Sequence, residues 1–264
     1  MSVLFDMPGL FIQDCKLRLL KAMEFRLEFF TGIITSLAFS CIVPLFQFLI
    51  YKNTRGYPGW TFDEILLFQA VLLFWIGFTD TIFGDIKPLM EATIQYGLFD
   101  RYLIFPYPPL VILLTRGFNY RSTGTLLAGI IALTYAFIKL SISLTWWRIV
   151  LFLVYFAAGI LLYLALLILY CTIALRLVYV LNLSVVLDKI IQLGNWPVEI
   201  FSGTLKIISF SVLPIAIWIN IPCRILLGHL EVTAVFSLIP ALILFIVSLI
   251  LWNKNLKNYT SAGG

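Results

Sequence analysis

A single histidine, His229, stands in 264 residues, and that scarcity removes whole classes of chemistry. Neither a histidine-based catalytic triad nor a histidine metal cluster can be assembled from it. The four cysteines, Cys15, Cys41, Cys171 and Cys223, show no metal or redox spacing and read as small packing residues. No glycine is followed by Lys-Ser or Lys-Thr, so the phosphate-binding loop that holds ATP is missing. Charge is also scarce: 12% of residues, against about 25% in soluble domains. No small-residue cleavage site follows the first apolar run, and Asp6 and Asp14 precede it, which argues against a cleaved signal peptide.

What is abundant is hydrocarbon. The chain is 62% hydrophobic, and its apolar residues come in runs of about twenty, the length a bilayer core of about 30 Å requires. The expected fold is an all-α polytopic membrane protein, one transmembrane domain over residues 1–264. Six transmembrane helices are expected, at about 29–51, 64–85, 122–140, 148–174, 200–222 and 232–252. With the N-terminus in the cytoplasm, thirteen of the 18 Lys and Arg residues fall on the inner side and five on the outer. The positive-inside rule therefore places both termini in the cytoplasm, and the net charge of +5 needs no nucleic acid to explain it. Residues 8–28 have helical periodicity: Asp14, Arg18, Lys21, Glu24 and Glu28 share one side, and Phe11, Ile12, Cys15, Leu19, Ala22 and Met23 the other. That pattern predicts an N-terminal amphipathic interfacial helix.

Between the second and third spans lies a long polar and aromatic connection containing IQYGLFDRYLIFPYPP, residues 94–109. Pro88 suits a helix start and Gly97 a helix stop. A short transverse helix, a charged and aromatic turn, and a proline-stiffened lead into the third span should follow. Aromatics and arginine anchor interfaces and proline lowers the cost of ordering, so this region reads as a docking surface. The competing reading is an amphipathic loop resting on lipid headgroups.

The run YGLFDRYLIFPYPPL resembles the G-x-x-D-x-x-L-x-x-P segment of ABC-2 type transporter permeases, with Gly97, Asp100, Leu103 and Pro106 in place. NWPVEIFSGTLKIISFSVLPIAIWINIP is similar to a second segment of that family, through Pro197, Phe201, Pro214, Ala216 and Pro222, and the tail LKNYTSAGG resembles its ending. The resemblance implies a cytoplasmic coupling helix within 86–109 that docks on an ATP-binding-cassette ATPase subunit. The implied docking residues are Glu91, Tyr96, Gly97, Asp100, Arg101 and Pro106. It also implies a second copy of the chain or a related permease, with ATP and Mg²⁺ bound by the partner ATPase. No cofactor is expected on this chain, and its remaining partners are membrane lipids. The implied setting is a prokaryotic inner or plasma membrane.

Two charges fall inside expected spans, Asp80 and Lys206. Either they pair, or Lys206 snorkels toward the interface. Pro44, Pro214 and Pro240 also sit within spans, where each can kink a helix. The rival functions are a secondary transporter, opposed by the scarcity of intramembrane acids, and a membrane scaffold or immunity protein.

Overall fold

The computed structural model describes residues 2–54, 56–143, 145–177, 181–201, 203–229 and 232–259. Among them the protein is helical throughout, with no strand. The α-helices are α1 (Ser2–Glu24), α2 (Arg26–Ser40), α3 (Ile42–Asn53), α4 (Phe62–Phe83), α5 (Ile86–Gln95), α6 (Asp100–Leu103) and α7 (Pro109–Thr115). They continue with α8 (Thr123–Lys139), α9 (Trp146–Ala174), α10 (Leu181–Leu193), α11 (Thr204–Ser211), α12 (Asn220–Leu227) and α13 (Val232–Lys257). Five helical stretches among the described residues are long and apolar enough to cross a membrane: Arg26–Asn53, Phe62–Gln95, Tyr120–Lys139, Trp146–Ala174 and Ala234–Lys257.

The first of these is two helices with a one-residue break at Cys41. Pro44 explains the position. It has no N–H to give the carbonyl four residues back, that of Ser40, and its ring crowds that carbonyl. Pro240, by contrast, is accommodated within a continuous α13. Helix α4 begins at a capping box: the Glu64 carboxylate accepts from the Thr61 amide at 2.8 Å, and the Thr61 hydroxyl accepts from the Glu64 amide at 3.4 Å.

Helix α4 is the most buried of the long helices and forms the centre of the bundle. Its closest partner is α8, and glycines explain the approach. A Cβ on Gly77 would lie 2.3 Å from the Leu126 backbone nitrogen, and one on Gly129 would lie 2.4 Å from that of Phe74. The two backbones touch where neither residue has a side chain, the arrangement small residues allow between helices in lipid. Helices α9 and α13 form a second packed pair, tied by Asn255, whose side-chain amide donates to the Thr172 carbonyl at 2.6 Å.

The fifth expected span, 200–222, is not one helix. It is divided into a 3₁₀ turn at Val198–Ile200, α11, a second 3₁₀ turn at Ile215–Ile217, and α12. The causes are local. Gly203 has φ 53° and ψ −121°, a conformation that a side chain resists, and Pro214 closes α11. The apolar run that reads as a crossing instead folds back. Trp218 descends to the middle of the bundle, where its indole N–H donates to the Gly159 carbonyl at 3.2 Å and its ring stacks on Trp75 at 6.3 Å. Arg224, on the returning α12, reaches the linker before α4 and donates to the Gly59 carbonyl at 3.1 Å. Trp218 is fully buried.

Residues upstream of this fold-back run from one end of the bundle to the other. Asp188 on α10 pairs with Lys87 at the end that carries α5. Gly194 packs against the Trp218 ring. Glu199 accepts from the Trp60 indole at 2.8 Å, toward the opposite end.

The glycine seam yields the first prediction. Gly129→Ala places a methyl against the α4 backbone, and overpacking of this kind costs on the order of 1–3 kcal/mol. Gly9→Ala meets nothing within 4 Å. Thermal unfolding in detergent should show a clear drop for the first variant and no change for the second; equal melting temperatures would refute the seam.

Candidate functional site

Two clusters of polar and aromatic side chains, one at each end of the bundle, are candidates for function. The first occupies residues 85–116. Helix α5 buries Ile86, Met90 and Thr93 against the bundle. It stops at Gly97, whose φ of 63° needs the left-handed conformation. The Gly97 amide donates to the Ile94 carbonyl at 3.1 Å and the Leu98 amide to the Thr93 carbonyl at 2.8 Å, the Schellman closure.

This turn is braced from four directions. The Asp85 carboxylate accepts from Arg18 of α1 at 2.8 Å, and the same guanidinium bonds Asp14 at 2.7 Å. Lys87 pairs with Asp188 of α10. The Tyr170 hydroxyl of α9 donates to Glu91 at 3.4 Å. Phe99 packs edge-on against Trp252 of α13 at 6.3 Å and against Tyr259 at 5.0 Å. Tyr259 also hydrogen-bonds Asp100; burial first, and then that carboxylate, hold its phenol above the ordinary value, so it remains a donor.

The structure therefore divides the six expected docking residues. Glu91 and Asp100 are half-buried and tied to Tyr170 and Tyr259, so they hold the turn to the bundle instead of standing out from it. Gly97 shapes the turn. Tyr96, Arg101 and Pro106 are exposed, Tyr96 at 67% of its surface. Beside them stand Leu103, a position of the family motif, and two residues that reading the sequence left unremarked, Ile104 and Phe105, with Ile104 83% exposed. An apolar triplet between a charged turn and three prolines, too short to be a span, was the signal for them. Arg116 stacks over the Tyr102 and Phe105 rings at 5.4 and 5.5 Å and supports this ridge from below.

Asp80 lies on the last turns of α4, half-buried, with Lys87 and Asp188 as its charged neighbours. The Lys206 side chain, and with it the expected Asp80–Lys206 pair, lies outside the described residues. Among the described residues no three His, Cys, Asp or Glu side chains converge to hold a metal ion.

The second cluster clasps the opposite end. Glu199 accepts from three donors: Trp60 at 2.8 Å, Asn220 at 3.0 Å and Arg224 at 2.9 Å. The Arg224 guanidinium lies 3.9 Å from the centre of the Trp60 ring. Both members of the Glu199–Arg224 pair are less than one-fifth exposed; lost hydration offsets their stronger attraction there, but losing either partner leaves a shielded charge uncompensated and is expensive. One carboxylate thus joins the linker before α4, the turn before α11, and the returning α12.

Arg224→Ala leaves Glu199 shielded and without its cation, a loss on the order of 2–4 kcal/mol. Glu199→Gln with Arg224→Gln should cost less than the sum of the single changes. A melting-temperature cycle over the four proteins measures the coupling, and strict additivity would mean that the two residues do not act as a pair.

Residues 34–263 match the family described as ABC-2 family transporter protein. No curated protein and no solved structure matches the chain.

Proposed function

Because the chain belongs to the ABC-2 transporter family, a family of membrane transport subunits, we propose that it is the permease subunit of an ATP-driven exporter, worked by a separate ATPase subunit docked on residues 96–106. The observation that carries this reading is the exposed ridge of Tyr96, Arg101, Ile104 and Phe105 on a turn braced to α1, α9, α10 and α13. An aromatic and apolar centre beside an arginine is the composition of a protein-binding hot spot. A turn held at four points passes a push on to the helices, where a loose loop would absorb it. ATP and Mg²⁺ belong to the ATPase, which performs the hydrolysis.

Two permease chains would enclose the path, either two copies of this one or this chain and a related permease. The most apolar stretch of α2–α3 is only 11% buried and that of α13 only 22%, against 67% for α4–α5. A second chain, together with lipid, is what such faces need. Helix α1 serves as the interfacial element: Asp14 and Arg18 turn toward the bundle while Ile12, Leu17, Leu20 and Met23 are exposed. The sixth crossing is made by α10 and the stretch to Glu199 in place of 200–222. Both termini are cytoplasmic, with the α5 end facing the ATPase.

Ile104→Asp and Arg101→Ala should insert and melt like the wild type, since neither side chain is buried. Each should weaken ATPase capture at least ten-fold in a pull-down, or abolish stimulation of ATP turnover while capture persists. Wild-type capture and stimulation by both variants would remove the docking role. In a background without native cysteines, Thr54→Cys should react with an impermeant thiol reagent from outside intact cells and Tyr96→Cys should not. The reverse pattern would overturn the orientation.

A further inference from the structure

An open cleft of about 570 Å³ lies where α1, the start of α5 and the lead into α8 meet. It sits level with the ends of the membrane helices: α2 begins at Arg26 and α4 ends at Phe83, so its lining residues occupy the depth at which lipid headgroups lie. Lys21, Phe25, Asp85, Leu89, Arg116 and Phe118 supply its polar and apolar walls.

The charges of the cleft are unequally committed. Asp14 and Asp85 are both engaged by Arg18, and Glu28 is held by Arg121 at 2.6 Å. Among the described residues neither Lys21 nor Arg116 pairs with a carboxylate; Arg116 stacks on the Tyr102 and Phe105 rings and makes a 3.5 Å bond to the Tyr102 hydroxyl. The lining itself carries three carboxylates and three cations, Arg18, Lys21 and Arg116; Arg121, which stands outside the lining, neutralises Glu28 and so leaves one net positive charge to the cleft. The cations left over stand on two different walls. Phe25, Leu27 and Phe30 are exposed on the adjoining start of α2, a hydrocarbon surface running from the cleft along the first membrane helix.

A guanidinium and an ammonium lining one cleft, with one net positive charge left over, fit a monoanionic phosphodiester, and an apolar wall beside them fits an acyl chain. We infer that this cleft binds one anionic phospholipid, with Lys21 and Arg116 on the phosphate and the acyl chains along the start of α2. The lipid joins α1 to the lead into α8 and so completes the packing of the α5 end. The site shares Arg116 with the support of the docking ridge, but lipid retention is read without the ATPase, so its failure and that of the docking reading are distinguishable.

The test is lipid retention by the purified chain, by native mass spectrometry, with the melting temperature followed in parallel. The probes are phosphatidylglycerol, phosphatidylcholine of the same acyl chains, and sodium phosphate. One phosphatidylglycerol should be retained per chain, at least ten-fold more tightly than phosphatidylcholine, with a rise in melting temperature that phosphate alone does not give. Lys21→Gln with Arg116→Gln should reduce retention to the phosphatidylcholine level, while Lys21→Arg with Arg116→Lys keeps it and shows that the charges, and not the fold, were tested. Lys52→Gln with Lys257→Gln should retain the lipid as the wild type does. An unchanged preference in the double glutamine variant would overturn the proposal. Equal stabilisation by sodium phosphate would assign the cleft to a free anion and overturn the lipid assignment.

Discussion

Backbone amides that leave a helix inside a bilayer must find partners within the protein, and under the proposed function that is the condition on the chain between Gly194 and Gly228. Its two 3₁₀ turns and two short helices satisfy amides locally, as where Trp218 donates to Ile215 and Ile217 to Pro214. The surrounding bundle does the rest. Trp218 is seated on Trp75 and Gly159, and Glu199 gathers donors from Trp60, Asn220 and Arg224. Without that seat, irregular backbone would face hydrocarbon at several kcal/mol per unpaired group. The central position of α4 follows from the same demand, since it carries Trp75 on one side and the glycine seam to α8 on another.

The two ends of the bundle are built on different physics. At the Trp60 end, one shielded carboxylate holds three segments, a geometry that is strong when complete and costly when any member leaves. At the α5 end, partly exposed ion pairs and aromatic contacts tie the 85–116 turn to α1, α9, α10 and α13. Exposed pairs are individually weak, about 1 kcal/mol or less. Their number and spread, not their strength, make the turn a single body with the helices. Under the proposed function, closure of an ATPase at this end would be carried by α4, α9 and α10 to the seat of Trp218.

Much of this was legible in the amino-acid sequence, and the failures have physical causes. Helical class, the long apolar crossings and the stop at Gly97 follow from hydropathy, length and the left-handed conformation that glycine tolerates. The break at Cys41 follows from Pro44. Glu91 and Asp100 looked like exposed anchors because Tyr170 and Tyr259 lie far along the chain, and no local pattern announces such partners. Ile104 and Phe105 went unremarked because exposure cannot be read from hydropathy. The run 200–222 has the length and apolarity of a crossing. Whether such a run crosses or turns back depends on Gly203, Pro214 and a receptive pocket on α4 and α9, and only the last distinguishes a kink from a return.

The fold-back is therefore the claim to test most directly. In a background without native cysteines, Thr204→Cys and His229→Cys both lie at exposed positions flanking the returning segment. Labelling with an impermeant thiol reagent in sealed, oriented vesicles reads the side of each. The account predicts that both react from the same side, the one that Thr54→Cys also faces. Reaction of Thr204→Cys and His229→Cys from opposite sides would make 200–222 a true crossing and contradict it.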